Sequence, residues 1–379
     1  MKKKRLIFFI GALYGGGGER VLVDLLRHLN RDKYELNLVV STKNGVLFDQ
    51  VPSDINVIIR YTQDSKRLNL YRRAFGLSKI IKELNADIVI SFLTGANRTL
   101  MRSKLFLPKN LKIILREGNN PLHIHSMFSS WFWRKIAIQE VKNLYPLADR
   151  IVTPSVGIAK DFQKYWGISS DLFHRIHNPV DISMINQKSS EDISLPWGEV
   201  EKVKWILAVG RLTKQKGFSD LISSFYEVRK KADSRLIILG EGDLRVKLQN
   251  KIDEMGMSDF IFMPGFVKNP WKYMKRADLY ISSSLWEGFH LTIAEAMACG
   301  TVPIATNCNY GPSEIITDGK DGRLVPVGDV ETLSNTICEL LENNELRSEM
   351  AANALTRSHD FDIKRIIKEY ENLFDSFIT

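Results

Sequence analysis

Short apolar runs alternate with helical periodicity twice over in this chain, and that rhythm leaves few folds open. In the first half the runs are "RLIFFIG", "ELNLVVS", "INVIIR", "DIVISFL", "KIILRE" and "RIVTPS", rich in Ile and Val. Helical patterns such as Glu19 to Asn30 and Leu70 to Leu84 lie between several of them. The second half repeats the scheme with "WILAVGR", "RLIILGEG", "FIFMPGF", "LYISSS", "VPIATN" and "GRLVPV". Such alternation builds a parallel sheet with helices on both faces, so two series imply two doubly wound, Rossmann-like α/β domains. The 379 residues suffice for two full cores. Between the series, residues 183–202 lose periodicity and gain polar and turn residues, which reads as a linker. The domains expected are therefore 1–182 and 203–359, with an amphipathic segment at about 360–379 after the "SHDFD" break.

The opening "MKKKRLIFFIGALYGGGGER" imitates a secretory signal, but its apolar run is short and gives way to glycines without a cleavage-like site. Leu6 to Leu13 reads better as a buried parallel strand. No run approaches the roughly 18 apolar residues of a spanning helix. Cys299, Cys308 and Cys338 form no CxxC pair, so neither a disulfide framework nor a metal site is expected, and a reducing, cytoplasmic setting is. Charge is uneven. Residues 1–182 hold 29 Lys and Arg against 15 Asp and Glu, a net +14, whereas the rest of the chain carries −5. The first half should meet something anionic: nucleic acid, lipid or a phosphate-bearing substrate.

Several segments at strand ends could carry chemistry. In "FFIGALYGGGGERVLVDLL" a strand gives way to four glycines and a helix opening at Glu19. Such a turn could hold a diphosphate on its backbone N–H groups, although it lacks a clean dinucleotide spacing, and a flexible turn would look the same. In "AVGRLTKQKGFSDLI", Arg211 and Lys216 lie five apart after a strand, which suits a diphosphate or merely a solvated pair. "FMPGFVKN" ends a strand at Gly265, where exposed backbone could read a nucleobase edge. In "LYISSSLWEGFHLTIAEAMACG", Glu287 falls in the loop after a strand and Glu295 near the first turn of the next helix. The free N–H groups of about Phe289 to Leu291 face the same space. "YGPSEII" repeats the theme with Ser313 and Glu314.

The ordered set "GGGGERV", "GRLTKQKG", "GEGDLR", "PGFV", "EGFHLTIAEAMACGTVPIAT", "YGPSEII" and "GKDGRLV" resembles the retaining glycosyltransferases of family four. The likeness spans nearly the whole chain and is strongest over 205–330, where the Glu-x7-Glu element is its most specific part. The resemblance implies two doubly wound domains facing across a cleft (the GT-B fold), with the C-terminal helix crossing back to the first domain. It further implies that Arg211 and Lys216 grip the donor diphosphate and stabilise the leaving nucleotide. Glu287 would take hydroxyls of the transferred sugar, helped by the backbone of Gly288, Phe289, His290 and Leu291. Glu295 would accept both ribose hydroxyls, Gly16 and Gly17 would let the first loop approach the diphosphate, and Gly265, Phe266 and Val267 would bracket the base. No cofactor or metal is implied: the donor is a co-substrate, UDP-linked by family habit, and cations with helix dipoles act on the leaving phosphate.

One departure stands out. Many relatives carry a histidine after the strand that here reads "KIILREGNNP", and this chain has none at that place. Glu117 is the catalytic candidate there, with Asn119 and then His123 and His125 as further candidates for acceptor contacts. The resemblance implies same-face attack, with the donor's own phosphate oxygen taking the acceptor proton, rather than a two-carboxylate glycosidase mechanism. The basic first domain would bind a lipid-linked or oligosaccharide acceptor. "FSSWFWRKIA" mixes Trp131, Phe132 and Trp133 with Arg134 and Lys135, the make-up of a helix lying on an anionic membrane surface, or else of an aromatic core helix. The expected product class is cell-surface polysaccharide or glycolipid, made at the inner face of the plasma membrane. Two rivals are a nucleotide-sugar epimerase of the same fold and a basic nucleic-acid-binding protein, the latter without any recognisable reader motif.

Overall fold

The computed structural model describes residues 3–60, 70–119, 121, 127, 130–193 and 203–377. Two compact units emerge: residues 1–179 with 363–379, and residues 180–362. The first holds strands β1 (Lys4–Ile10), β2 (Tyr34–Val40), β3 (Asn56–Ile59), β4 (Ile88–Phe92), β5 (Lys112–Arg116), β6 (Arg150–Thr153) and β7 (Phe173–Arg175). The second holds β8 (Lys204–Val209), β9 (Ser234–Leu239), β10 (Ile261–Gly265), β11 (Leu279–Ser282), β12 (Val302–Thr306) and β13 (Arg323–Val325). Every pairing between these strands is parallel.

Sheet order is β3-β2-β1-β4-β5-β6-β7 in the first unit and β10-β9-β8-β11-β12-β13 in the second. Each order reverses once, between β1 and β4 and between β8 and β11. Such a reversal opens a crevice at the carboxyl ends of the two strands, because their connections leave to opposite faces. The apolar runs explain the strands directly: helices cover both faces of a parallel sheet, so Leu6 to Ile10 and Ile88 to Phe92 are buried without alternation.

The helix Ile363–Asp375 belongs to the first unit, as the expected returning C-terminal helix would. Ile363, Ile366, Ile367, Tyr370, Leu373 and Phe374 follow helical spacing and enter the core around β1 and β2. At about 1.5–3 kcal/mol per buried side chain, this stripe is ample to seat the helix. The Phe374 ring meets Tyr34 edge-on at 5.9 Å.

Two boundaries differ from the sequence reading. The stretch read as linker begins with a helix, Ile182–Ser189, capped by Asp181 and packed into the second unit through Ile182 and Ile185. Residues 194–202 of that stretch lie outside the described residues. The first helix opens at Gly17 rather than Glu19 and ends at His28.

Candidate functional site

In the second unit, the loops leaving β8 and β11 flank the reversal of sheet order, and they are stitched together by backbone. Leu285 N–H donates to the Gln215 carbonyl at 2.8 Å, and Ser283 Oγ donates to the Lys216 carbonyl at 2.8 Å. Gly217 makes this contact possible. Its φ is +62°, and a Cβ there would lie 2.0 Å from the Ser283 carbonyl oxygen. Before it, Lys214–Lys216 form a single tight turn, and Phe218 starts the following helix. The Lys216 stem folds back over Gly210, where a Cβ would stand 3.0 Å from its Cε.

That fold-back delivers the ammonium to Glu287. Lys216 Nζ lies 2.7 Å from Glu287 Oε1 and 3.1 Å from His290 Nε2. Ser284 Oγ donates to the same carboxylate oxygen at 2.8 Å, and Gln215 Nε2 reaches Oε2 at 3.4 Å. Ser282 Oγ sits 2.7 Å from His290 Nδ1. Thr306, ending β12, donates to the Ser284 carbonyl and holds the serine run in place. Burial by itself would push the Glu287 carboxyl up; the positive charge facing it, with hydrogen bonds from Lys216 and Ser284, outweighs this and holds the group below the ordinary carboxylate range. A buried carboxylate stays ionised only with such a partner.

The other sequence candidates of this unit surround the cluster. Arg211 shares the loop with Lys216, is exposed, and its side chain has no hydrogen-bond or ion-pair partner among the described residues. The helix Leu291–Ala298 starts beside His290, so its first N–H groups open at the crevice, and Glu295 is buried one turn further along than the sequence suggested. Gly288 is partly exposed, and Phe289 is buried against Phe361 with ring centroids 5.8 Å apart. Gly311, from the "YGPSEII" turn, approaches the same backbone: its φ is +94°, and a Cβ would stand 3.1 Å from Phe289 Cα. Gly265 has φ +93° at the end of β10, its carbonyl accepts from Gly240 N–H at 2.8 Å, and Phe266 beyond it is 72% exposed. Val267 is half-buried. Sequence reasoning missed Gln215, Ser282 and Ser284, which orient Glu287 and His290 beside Lys216.

The first unit presents its glycine loop at the β1–β4 reversal. Gly15 has φ +110°, Gly16 caps the helix, Gly17 faces open space, and a Cβ on Gly18 would stand 2.8 Å from Leu93 Cδ2 of the β4 loop. Glu117 follows β5 and is fully buried. Thr94 Oγ1 donates to it at 2.9 Å, Asn97 Nδ2 at 3.1 Å and Tyr145 OH at 2.9 Å. Burial pushes its carboxyl up, against the pull of these donors. Arg116 turns elsewhere and binds the Tyr370 hydroxyl at 3.2 Å and the Asn178 side chain. Asn119 is half-buried in the same loop, whereas His123 and His125 lie outside the described residues. Trp131, Phe132 and Trp133 open the helix Trp131–Leu144 and are 67%, 58% and 51% exposed, so the aromatic-core alternative is ruled out. Among the described residues no helix is long and apolar enough to cross a membrane.

Comparison with known proteins identifies the family and the fold. Residues 189–357 match the family described as Glycosyl transferases group 1, and residues 15–184 match Glycosyltransferase Family 4. The chain is 30% identical over 373 residues to N-acetylgalactosamine-N,N'-diacetylbacillosaminyl-diphospho-undecaprenol 4-alpha-N-acetylgalactosaminyltransferase of Campylobacter jejuni, covering 97% of this chain and 98% of that one. Its fold is similar to a glycosyltransferase of Rickettsia africae, at a TM-score of 0.82 and 17% identity, over 100% of both chains. Anabaena HepE, solved in complex with UDP, also matches at 0.82, with 21% identity over 98% of this chain and 100% of that one. The chain belongs to glycosyltransferase family four.

Proposed function

We propose that this glycosyltransferase moves a hexose or N-acetylhexosamine from a UDP-sugar, with retention of configuration, to a lipid-linked or glycan acceptor in cell-surface polysaccharide or glycolipid synthesis. The observation that carries this reading is the buried Lys216–Glu287 pair at the β8–β11 reversal, beside the open start of the helix Leu291–Ala298. Lys216 and the exposed Arg211 would balance the charge growing on the departing diphosphate, without a metal, and helix N–H groups would add to this. Glu287 would hold hydroxyls of the transferred sugar, and Glu295 the ribose. The donor's own phosphate oxygen would take the acceptor proton as the acceptor attacks from the leaving-group side.

Two comparisons support the choice of substrates. The Campylobacter relative bears in its name an undecaprenol-diphosphate substrate and N-acetylgalactosamine transfer. HepE, a protein of similar fold, binds UDP and UDP-glucose. The exposed Trp131, Phe132 and Trp133, with Lys135 5.2 Å from the Trp131 ring, suit an amphipathic contact with an anionic bilayer at the cytoplasmic face. Family membership favours transfer over epimerisation.

The deciding experiment screens UDP-sugars for UDP release with an undecaprenyl-diphosphate-linked sugar presented in anionic or neutral vesicles. Acceptor-dependent release, faster on anionic vesicles, is the expected result. Nucleotide-sugar consumed equally without acceptor would point to the epimerase and sink the reading. In addition, Glu295→Ala should weaken UDP binding by about tenfold to a hundredfold, the worth of a charge-assisted hydrogen bond, with the fold intact. Calorimetry checks this, and an unchanged affinity removes Glu295 from the ribose site.

A further inference from the structure

We propose that His290 is a positioning residue for Lys216: its neutral imidazole, protonated on Nδ1, offers the Nε2 lone pair to the ammonium and so aims the remaining N–H of Lys216 at the donor diphosphate. This rests on the donor-site reading above and assigns a side chain where that reading used only backbone. The argument starts from valence. An ammonium has three donors and no acceptor, so a contact of 3.1 Å from Lys216 Nζ requires Nε2 to accept. The ring proton must then sit on Nδ1, which points at Ser282 Oγ 2.7 Å away. The imidazole is 3% exposed, and His290 stands at the N-cap position of the helix Leu291–Ala298, without a side-chain bond to the helix, at a turn that Gly311 backs closely, so the ring has little freedom to leave.

Charge favours the same tautomer. The ionised groups that reach the ring are Lys216, from the β8 loop, and Glu287, whose Oε1 lies 3.8 Å from Nε2. A second cation would oppose Lys216 across a site with one carboxylate. Burial and the Lys216 ammonium push the His290 pKa down to about 3, with Glu287 pulling the other way. With the ring neutral, Lys216 is the cation that keeps Glu287 ionised. Of its three N–H groups, one goes to Glu287 Oε1 and one to His290 Nε2. Two fixed acceptors on a tetrahedral ammonium set the direction of the third. Without Nε2 the ammonium is free to rotate about its contact with Glu287.

The test combines nitrogen NMR of the ligand-free protein with calorimetric UDP binding. The ring should show an unprotonated Nε2 and should not titrate from pH 8 to pH 5. His290→Phe fills the space but offers no lone pair, and should weaken UDP binding by about tenfold to a hundredfold, as for loss of a hydrogen bond to a charge. His290→Gln carries an acceptor at a similar reach and should recover most of that loss. In a Lys216→Met background, His290→Phe should change UDP affinity no further, since the two act through one contact. A merely structural cap would lower thermal stability in both variants without this rescue or coupling. An Nε2–H tautomer, a ring titrating near 6.5, or equal UDP affinity in the Phe and Gln variants overturns the proposal. A wild-type protein that binds no UDP defeats the donor reading instead, and the NMR result still decides the Lys216–His290 contact.

Discussion

Lys216→Met is expected to lower kcat by about 10²- to 10³-fold, the loss seen when one pre-placed donor to developing charge is removed. The substitution also leaves Glu287 buried with Ser284 and Gln215 but no cation. Breaking a buried ion pair from one side costs about 3–5 kcal/mol, so a thermal shift should accompany the kinetic loss. The two effects separate in the double variant. Lys216→Met with Glu287→Gln removes the orphaned charge and should regain stability while staying inactive. Rates at saturating donor and thermal melts of the three proteins provide the comparison. A Lys216→Met enzyme that keeps kcat within about threefold of wild type would show that the diphosphate is stabilised elsewhere, with exposed Arg211 the first place to look.

The strands were legible because a parallel sheet buries both faces, which writes them as unbroken branched runs; all twelve runs fall on observed strands. Only β7 escaped, since "FHR" is three residues long, partly exposed and at a sheet edge, where packing imposes no pattern. The helix Ile182–Ser189 hid among polar residues because its buried side is a few positions and its cap, Asp181, lies outside the stretch that drew the eye. Glycines delayed the first helix in the reading by two residues, yet Gly18 is there for room beside Leu93 rather than for flexibility. In the site, Lys216 and Glu287 stood out as charges at strand ends. His290 was expected beside the transferred sugar, but the contact its imidazole makes was not legible, because it depends on a lysine 74 residues earlier. Serines 282 and 284 were read only as part of the run "LYISSS" for the same reason: nothing local says which carboxylate or ring a hydroxyl will meet.

Glu117→Ala is expected to destabilise the first unit by about 3–5 kcal/mol, because three buried donors lose their acceptor and a cavity opens. The network it would break is broad. Thr94 and Asn97 come from the helix after β4, Tyr145 from the turn after the helix Trp131–Leu144, and Asn97 also binds Ser91 at 2.6 Å and the Arg116 carbonyl at 3.1 Å. Glu117 therefore ties the ends of β4 and β5 to two covering segments, directly under the loop that carries Asn119. For a unit of this size the melting point should fall by roughly 10 °C, at about 2–4 °C per kcal/mol. Glu117→Gln keeps the shape but turns an amide NH2 toward one donor, and should fall between the two. Three side-chain donors take most of the roughly four lone-pair sites of this buried carboxylate, so the Gln variant should lose less than about tenfold in kcat, far short of Lys216→Met. An unchanged melting point together with a hundredfold loss in kcat would return Glu117 to the chemistry; a shifted melting point with a near-normal rate makes it the support on which the acceptor loop rests.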